Sequence, residues 1–189
     1  MRVGLRLESG TLTPQEMMRL AVMAEEQNFD TVWVPEGLTD SVAQLAAMAA
    51  VTKKIKLGTG ILAIYSRTPT LIAMSAGSLD AISNKRFVLG LGVGHKSQAE
   101  NTHGVSLDRP LIRLSETVEI IRRLLKRESV TFQGRIFKVK DSRLGFQPVR
   151  AHIPIYIAAL GPKMIQLAGE IGDGVLLNWA SPEYLKQAM

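Results

Sequence analysis

The chain has 189 residues, of which 46% are hydrophobic and 21% charged, with a formal net charge of +6 and a pI of about 9.8. This composition supports a single domain over residues 1–189 and excludes a disordered chain. The absence of cysteine excludes disulfides, thiolate metal ligands and cysteine nucleophiles. No apolar run reaches the roughly 20 residues of a membrane span, and the first residues lack the apolar stretch of a signal peptide, so we expect a cytoplasmic protein with no membrane partner.

The excess of basic residues raises the possibility of a nucleic-acid surface. Aromatic residues make up only 5% of the chain, however, and no basic stripe is interleaved with them. The densest basic run, residues 122–127, falls at the end of a predicted helix, where cations interact favourably with the helix dipole. We therefore expect a small-molecule ligand and no nucleic acid, and the positive charge would modestly favour an anionic ligand.

Short apolar runs alternate with amphipathic runs along the chain. The apolar runs predict strands at residues 3–7 and 31–34, strands beginning at residues 55 and 86, and strands at 155–159 and 175–177. The amphipathic runs predict a helix that begins after Thr13, one over 42–51 capped by Asp40 or Ser41, and one from Thr68 to about residue 83. They also predict helices that begin near Pro110, that cover 163–171, and that begin at Ser181. Residues 129–132 and 136–139 flank a glycine turn and predict a β-hairpin.

This alternation amounts to about six βα units with an inserted hairpin, which indicates a parallel sheet covered by helices. A (β/α)8 barrel and an open doubly wound sheet both satisfy the pattern. A complete barrel typically needs about 250 residues, so a barrel of this length would be truncated.

The segment from Pro154 to Asn178 reads as strand, tight turn, helix, strand. Pro162 suits the first position of a helix, where its missing N–H costs nothing. The turn before it would direct free backbone N–H groups at a ligand above the strand ends, and such a terminus favours phosphate. Lys163 adds a positive charge there. The same turn could also be an ordinary helix start.

Glycines cluster where the third, fourth and fifth strands end. In α/β folds ligand sites lie at this edge of the sheet, and glycine in a strand often marks the close approach of a ligand or of another backbone. The alternative is that tapering and bulges of the sheet require glycine without any ligand. The clusters include Gly58, Gly60, Gly90, Gly92, Gly94 and Gly161.

Three side chains follow strands at the same edge. Glu36 could accept a hydrogen bond from a ligand ring or act as an acid or base, or it could be a salt-bridged or capping residue. His95 could be an acid, a base or a polar contact, or only a loop residue. Trp179 could form a wall for a planar ligand or cap the core.

Several other kinds of site find no support in the sequence. A dinucleotide fingerprint over Gly90 and Gly92 would need glycine at position 95, which is His95, and no P-loop follows Gly94. His103 and His152 have no companions at metal-ligand spacing, so no metal site is expected. A Gly-x-Ser-x-Gly motif is absent, so a hydrolase triad is not indicated.

The residues resemble the bacterial-luciferase-like superfamily and, within it, the deazaflavin-dependent reductases related to methylenetetrahydromethanopterin reductase. The resemblance covers essentially the whole chain. Its carriers are residues 29–36 (FDTVWVPE), 57–61 (LGTGI), 86–94 (RFVLGLGVG), 154–164 (PIYIAALGPKM) and 172–175 (GDGV).

The resemblance implies a TIM barrel, truncated here, that holds a deazaflavin (coenzyme F420) or, alternatively, FMN at its C-terminal rim. It implies a cis peptide bond between Gly60 and Ile61 behind the cofactor ring, a polar or acid–base role for Glu36 and His95, and a phosphate-binding turn between Ala159 and Met164. The residues and the resemblance together suggest as cofactor-binding residues Thr59, Gly60, Ile61, Gly92, Val93, Gly94, Ala158, Ala159, Leu160, Gly161, Pro162, Lys163, Met164 and Trp179.

The resemblance predicts an oxidoreductase that transfers a hydride between a deazaflavin and an organic substrate, such as methylenetetrahydromethanopterin. Gly37 and His95 stand where related sugar-phosphate dehydrogenases have histidine and glutamate, which argues against sugar-phosphate oxidation. An FMN-dependent monooxygenase and a non-catalytic flavin-binding or assembly subunit are the alternatives. A homodimer or higher homo-oligomer is expected.

Overall fold

The structure is a computed structural model that describes residues 2–8, 10–37, 39–181, 183–184 and 186. Within these residues no helix combines the length and the apolar character needed to cross a membrane.

A parallel sheet, curled into a half-barrel, forms the centre of the molecule. Its strands are β1 (Gly4–Arg6), β2 (Thr31–Val34), β3 (Lys56–Thr59), β4 (Leu62–Ala63), β5 (Phe87–Gly92), β8 (Ile155–Ala158) and β9 (Gly174–Leu176). The spatial order is β1-β2-β3-β5-β8-β9, and β4 pairs with β5. Between β5 and β8, strands β6 (Val130–Gln133) and β7 (Lys138–Ser142) form a separate antiparallel pair.

Helices connect the parallel strands and cover the outer face of the sheet. They are α1 (Pro14–Glu26), α2 (Ser41–Val51), α3 (Pro69–Ile82), α4 (Pro110–Leu125) and α5 (Pro162–Ile171). The predicted capping box is present: the Thr13 hydroxyl accepts the Glu16 N–H, and the Glu16 carboxylate accepts the Thr13 N–H. Asp40 caps α2 and Thr68 caps α3. Local capping chemistry therefore defined these helix starts correctly.

The core lies between the sheet and the helices. β5 is buried along its whole length, as expected for a central strand that is covered on both faces. The buried apolar residues of the sheet and of the helices form one hydrophobic cluster, in which the largest buried helix side chains include Met17, Leu45, Met48, Ile72, Leu79 and Leu114.

Close packing on the concave side of the sheet explains several of the glycines. A Cβ on Gly58 would lie 2.5 Å from ring carbons of Trp33, and a Cβ on Gly90 would meet the Thr59 carbonyl. The Trp33 ring lies 5.8 Å from that of Tyr156, centroid to centroid. Gly58 and Gly90 are therefore accounted for by packing within the protein, against Trp33 and Thr59 respectively. The sequence had left open that glycine is needed here without any ligand.

Two elements were not predicted. β4 is only two residues long, and residues Gln98–Thr102 form a short π-helix after β5. The helix expected from Ser181 falls partly on residues 182, 185 and 187–189, which lie outside the described residues.

Candidate functional site

Parallel pairing places the carboxyl ends of β2, β3, β5 and β8 on one edge of the sheet. A cleft at this edge is lined by Glu36, Gly37, Ala63, Tyr65, Ser66, Val93, Gly94, His95, Gln98, Ala99 and His103. Its water-accessible part measures about 10 Å³, room for about one water molecule. The structure thus brings together Glu36, Gly94 and His95, which the sequence placed on a common rim.

Glu36 is the most extensively bonded side chain in this cleft. Its carboxylate accepts the backbone N–H of Ala63 at 3.1 Å, the hydroxyl of Ser66 at 3.2 Å and Nε of Arg67 at 3.0 Å. Arg67 also contributes a terminal nitrogen to the ion pair. These donors hold the carboxylate in one orientation, so Glu36 is salt-bridged and partly buried at the rim.

Arg67 links Glu36 to the start of α2. Its terminal nitrogen lies 2.9 Å from Asp40 Oδ2, while Asp40 Oδ1 accepts the N–H groups of Val42 and Ala43. Burial alone would raise the pKa of Asp40, but the Arg67 hydrogen bond and these N–H groups hold its pKa below the ordinary value. Burial opposes the charge of Arg67, yet its two carboxylate partners raise its pKa. Asp40 and Arg67 are therefore both charged at neutral pH.

The segment after β3 is tied to the segment after β2. The peptide bond between Gly60 and Ile61 is cis, as the resemblance implied. The Gly60 N–H donates to the Val34 carbonyl at 2.8 Å, and the Glu36 N–H donates to the Ile61 carbonyl at 3.0 Å. These bonds hold the cis segment beside Glu36.

Thr59 belongs to the wall of the half-barrel. It is fully buried, and its hydroxyl donates to the Gly90 carbonyl and accepts the Gly90 N–H, both at 2.8 Å. Its side chain therefore joins β3 to β5, and its hydroxyl both donates and accepts a hydrogen bond in that contact. Beside it, a Cβ on Gly92 would lie 3.0 Å from both Ala158 and Ile61, so the ends of β3, β5 and β8 meet at Gly92.

The loop after β5 forms the outer wall of the cleft. Gly94 has a positive φ of 71°, which glycine adopts without strain, and His95 follows it as an exposed residue. The Gln98 side-chain amide donates to the Gly37 carbonyl at 2.8 Å. The π-helix is thereby fastened to the loop that carries Glu36.

Tyr65 closes the base of the cleft. Its hydroxyl donates to the Asp108 carbonyl at 2.5 Å, and the guanidinium of Arg113 stacks 4.5 Å from its ring centroid. Arg113 also lies 5.3 Å from the ring centroid of Phe137, the residue directly before β7. Burial raises the pKa of Tyr65, so it is a neutral hydrogen-bond donor at physiological pH.

The turn between β8 and α5 lies at the same edge of the sheet but outside this cleft. Gly161 is the N-cap of α5. Among the residues that the structure describes, no side chain caps this terminus, and a Cβ on Gly161 would meet nothing within 4 Å. Met164 and Ile165 donate to the Gly161 carbonyl. Lys163 is exposed beside this open helix start.

The remaining cofactor-binding residues suggested by the resemblance differ in their exposure. Ala159 is buried and Met164 packs against the core, whereas Leu160 is exposed, and its carbonyl accepts the Tyr184 hydroxyl. Trp179 is 91% exposed, so it does not cap the core.

Sequence reasoning did not identify Tyr65, Ser66, Arg67, Gln98 or His103 as site residues. Arg67 immediately precedes a helix cap, and only the three-dimensional structure shows that it faces Glu36. Among the described residues, no group of three His, Asp or Glu side chains is arranged to hold a metal ion.

Comparison with known proteins places this geometry in a family. The family model described as "Luciferase-like monooxygenase" matches residues 1–189. The 5,10-methylenetetrahydromethanopterin reductase of Archaeoglobus fulgidus is 42% identical over 163 residues, which is 85% of this chain and 48% of the relative.

Two solved structures share the fold closely. The coenzyme F420-dependent tetrahydromethanopterin reductase from Methanopyrus kandleri superposes with a TM-score of 0.90 at 28% identity, covering 99% of this chain and 58% of that one. An F420-dependent secondary alcohol dehydrogenase, solved with an F420-acetone adduct, gives a TM-score of 0.89 at 26% identity, covering 98% and 60%.

The chain spans about half the length of the curated relatives it matches, 48% and 52% in two methylenetetrahydromethanopterin reductases. The match of the family model nevertheless extends from residue 1 to residue 189. The chain belongs to the luciferase-like monooxygenase family.

Proposed function

We propose that the chain is part of an oxidoreductase that transfers a hydride between the deazaflavin coenzyme F420 and an organic substrate. The observation that carries the proposal is the shared edge: the cleft of Glu36 and His95 and the open start of α5 both lie at the carboxyl ends of the parallel strands. This is the edge at which enzymes of such folds bind ligands. Relatives named for coenzyme F420 support the choice of cofactor.

The residues at the start of α5 suit a phosphate group. The first turn of a helix leaves N–H groups without intrahelical acceptors, and here Gly161 leaves space above them. Lys163 supplies a cation at the same point. In this proposal residues Ala159–Met164 form the phosphate turn, in which Leu160, Gly161, Pro162 and Lys163 face the ligand, and the buried Ala159 and Met164 hold the turn against the core.

Small residues suit the approach of a flat ring. Gly92, Ile61 and Ala158 meet where three strands end, and we assign the ring to this junction, with Gly60 and Ile61 on one side and Val93 and Gly94 on another. Thr59 supports the junction from within the wall. When bound, the deazaflavin supplies the carbon that accepts or donates the hydride. Trp179, exposed beyond β9, is assigned as a wall of the same site.

The protein's own groups orient the ligand and handle protons. The Glu36 carboxylate already accepts hydrogen bonds from Ala63, Ser66 and Arg67. We therefore assign Glu36 the role of holding the rim in shape and supplying its negative charge. His95, exposed in the cleft, is the group placed to contact a polar edge of the ligand or to move a proton. Tyr65 donates to the Asp108 carbonyl and so completes a polar lining.

We further propose that the half-barrel supplies about six βα units of a TIM (β/α)8 barrel, with the β6–β7 pair as an insertion. Regular alternation of parallel strands and helices supports this assignment. A cytoplasmic location, a homo-oligomeric state and methylenetetrahydromethanopterin as substrate complete the proposal. The choice of methylenetetrahydromethanopterin as substrate rests on the names of the relatives.

A binding titration tests the cofactor assignment. The purified chain is titrated with F420, with FMN and with the phosphate-free deazaflavin nucleoside, and binding is followed by fluorescence and absorbance. We expect F420 to bind most tightly, with the nucleoside weaker because it lacks the group that α5 would hold.

Two outcomes would contradict the proposal. Equal binding of F420 and the nucleoside would remove the phosphate role of α5. Binding of FMN in preference to F420 would favour a flavin-dependent monooxygenase instead. Addition of methylenetetrahydromethanopterin to the chain with reduced or oxidised F420 then tests the substrate by the change in F420 absorbance.

A further inference from the structure

The positive charge of the chain is concentrated in one segment. Residues 110–152, which contain α4 and the β6–β7 pair, include ten Lys and Arg residues but only four Asp and Glu residues. The formal net charge of this segment is therefore +6, equal to that of the whole chain, and the charges of the remaining residues balance. Such an uneven distribution makes one part of the surface attractive to anions.

Six of these cations belong to exposed residues and have no carboxylate partner. Four arginines of the segment are in ion pairs, namely Arg113, Arg122, Arg123 and Arg150. Within the part of the chain that the structure describes, the other six basic residues form no ion pair, and all six are exposed. They are Lys126, Arg127, Arg135, Lys138, Lys140 and Arg143.

The hairpin places these six cations in one row. β6 begins three residues after Arg127, and its first residue, Val130, pairs with Ser142 of β7. The cations at positions 126, 127 and 143 therefore lie at one end of the hairpin, and Arg135 lies in the turn at the other end. From Arg135 to position 143 the row is on the order of 25 Å long. We call the six residues the basic hairpin edge.

Lys138 and Lys140 form the middle of the basic hairpin edge. Both are exposed, whereas Val139 between them packs against the core. Residues two apart on a strand lie about 6.8 Å from each other on one face. This spacing is shorter than the screening length of about 8 Å at physiological salt, so the potentials of the two cations reinforce each other.

The hairpin is fixed to α4, so its cations are presented by a rigid element. The carboxylate of Glu116 on α4 accepts the backbone N–H groups of three turn residues, at 2.6, 3.1 and 2.9 Å. These residues are Arg135, Ile136 and Phe137. Glu116 is only 8% exposed, so its charge is used by the turn and does not neutralise the row of cations.

β7 also has a free edge. It pairs with β6 in a two-stranded sheet, and among the described residues no other strand pairs with it. The N–H and C=O groups on such an edge can pair with an added extended peptide. Lysine on the edge disfavours pairing with a second copy of the chain, which carries the same charge there. Acidic residues opposite Lys138 and Lys140 would instead form favourable cross-strand pairs.

We propose that the basic hairpin edge docks an extended acidic segment of another protein, which adds as a strand beside β7. Acidic side chains on alternate residues of that segment would match the repeat of Lys138 and Lys140. The basic hairpin edge is separate from the rim that carries Glu36 and His95, so this docking is a function additional to the proposed hydride transfer.

The composition of the surface favours a peptide over other polyanions. Every exposed residue between positions 126 and 143 is polar or charged, and Phe132 and Phe137 pack against the core. The surface therefore offers no exposed aromatic ring on which nucleic-acid bases could stack. It also offers no apolar side chain to enter a membrane. A single row of cations along one strand fits an extended chain.

Fluorescence anisotropy with two matched double variants tests the proposal. The probe is a fluorescein-labelled peptide of alternating glutamate and threonine, about ten residues long, at low salt. Lys138→Gln with Lys140→Gln removes two cations of the row, and Lys53→Gln with Lys54→Gln removes two exposed cations between α2 and β3. We expect the first double variant to bind the peptide at least about fivefold more weakly than the parent chain, and the second less than about twofold more weakly. Circular dichroism of both should match that of the parent.

Hydrogen–deuterium exchange of the parent chain is a second test that needs no variant. Addition of the acidic peptide should slow the exchange of residues 138–142, because strand addition gives their free backbone groups new partners. Unchanged exchange would mean attraction by charge alone and would overturn the proposal.

Three further outcomes would overturn it: no binding of the peptide by the parent chain, equal losses in the two double variants, or tighter binding of a short DNA duplex or of phosphatidylserine vesicles than of the peptide. F420 titration of the Lys138 and Lys140 double variant is expected to match that of the parent chain, so this proposal and the cofactor proposal fail separately.

Discussion

The carboxylate of Glu36 lies 2.9 Å from a terminal guanidinium nitrogen of Arg67, and the two side chains are only 11% and 14% exposed. The second carboxylate oxygen accepts the Ala63 N–H, so the pair joins the loop after β2 to the segment around β4. The ion pair therefore acts with the Glu36–Ile61 and Gln98–Gly37 hydrogen bonds to hold the shape of the rim.

Removal of Arg67 should destabilise the fold and loosen the rim. Arg67→Met leaves the carboxylate of Glu36 nearly buried without its cation, and breaking such a pair costs about 3–5 kcal/mol. Urea denaturation measures the change in unfolding free energy. Arg6→Met is the control, because Arg6 and Glu8 form an ion pair in which both side chains are about half exposed, and its loss should cost less than about 1 kcal/mol. Equal costs for the two variants would show that burial of the Glu36 pair has no consequence.

Two glycine-to-alanine substitutions should shift stability in opposite directions. Gly58→Ala places a methyl group 2.5 Å from the Trp33 ring, and such overpacking costs about 1–3 kcal/mol. Gly169→Ala lies inside α5, where an added Cβ meets nothing within 4 Å, and should stabilise the chain by about 0.5–1 kcal/mol. Thermal unfolding followed by circular dichroism measures both. A stabilising G58A would mean that the Trp33 ring moves aside freely.

Lys163 should contribute to cofactor affinity through its charge alone. Lys163→Gln removes an exposed cation at the start of α5, and we expect F420 to bind about 2–5-fold more weakly. The phosphate-free nucleoside should bind this variant and the parent chain equally. Lys138→Gln on β7 is the matched control and should bind F420 as the parent chain does. A loss that persists with the nucleoside would assign Lys163 a different role.

Glu25 should determine part of the acid sensitivity of the fold. Its carboxylate accepts the N–H groups of Lys53, Lys54 and Ile55. Burial opposes its charge, but these bonds hold its pKa below the ordinary value of 4.5. A carboxyl whose pKa is lower in the folded state stabilises the fold above the unfolded pKa, and this stabilisation is lost as the pH falls through the folded pKa.

The corresponding experiment compares urea stability at pH 7 and below pH 4.5 for the parent chain and two variants. Glu25→Gln should be less stable than the parent at pH 7 and should lose less stability on acidification. Glu26→Gln, at an exposed neighbouring position, should follow the parent curve. Parallel pH curves for the parent chain and E25Q would contradict the linkage.

Local signals predicted much of the fold. Thr13, Asp40 and Thr68 are N-caps because their side-chain oxygens accept N–H groups of the first helical turn. Each interaction spans at most three residues along the chain, so it can be recognised in the sequence. The βαβ unit around α5 was predicted from its apolar runs, its helical spacing and Pro162 at the first helical position, without a side-chain cap. β4 was missed because two residues are too short to establish a period, and its identity as a strand comes from pairing with β5.

The site was predicted only in outline. Glu36 and His95 were placed at one edge because parallel strands bring their carboxyl ends together, which is a property of topology that the alternation of elements already implies. The alternation of strands and helices could not show that the Trp33 ring leaves no room for a Cβ at position 58, or that Arg67 faces Glu36. Those contacts join residues about 25 and 31 positions apart in the chain. Side-chain directions at such separations depend on the register of the paired strands.

The sequence by itself determined the order of the longer elements, the caps of the first three helices, and the edge of the sheet that carries Glu36, Gly94 and His95. Each of these depends on interactions between near neighbours or on the direction of parallel strands. Only the tertiary structure decided that Arg67 pairs with Glu36 and that the Thr59 hydroxyl bonds to the backbone of Gly90. These features depend on which surfaces of distant elements come together. Burial of apolar surface and close packing stabilise that arrangement, and neither is a property of a local segment.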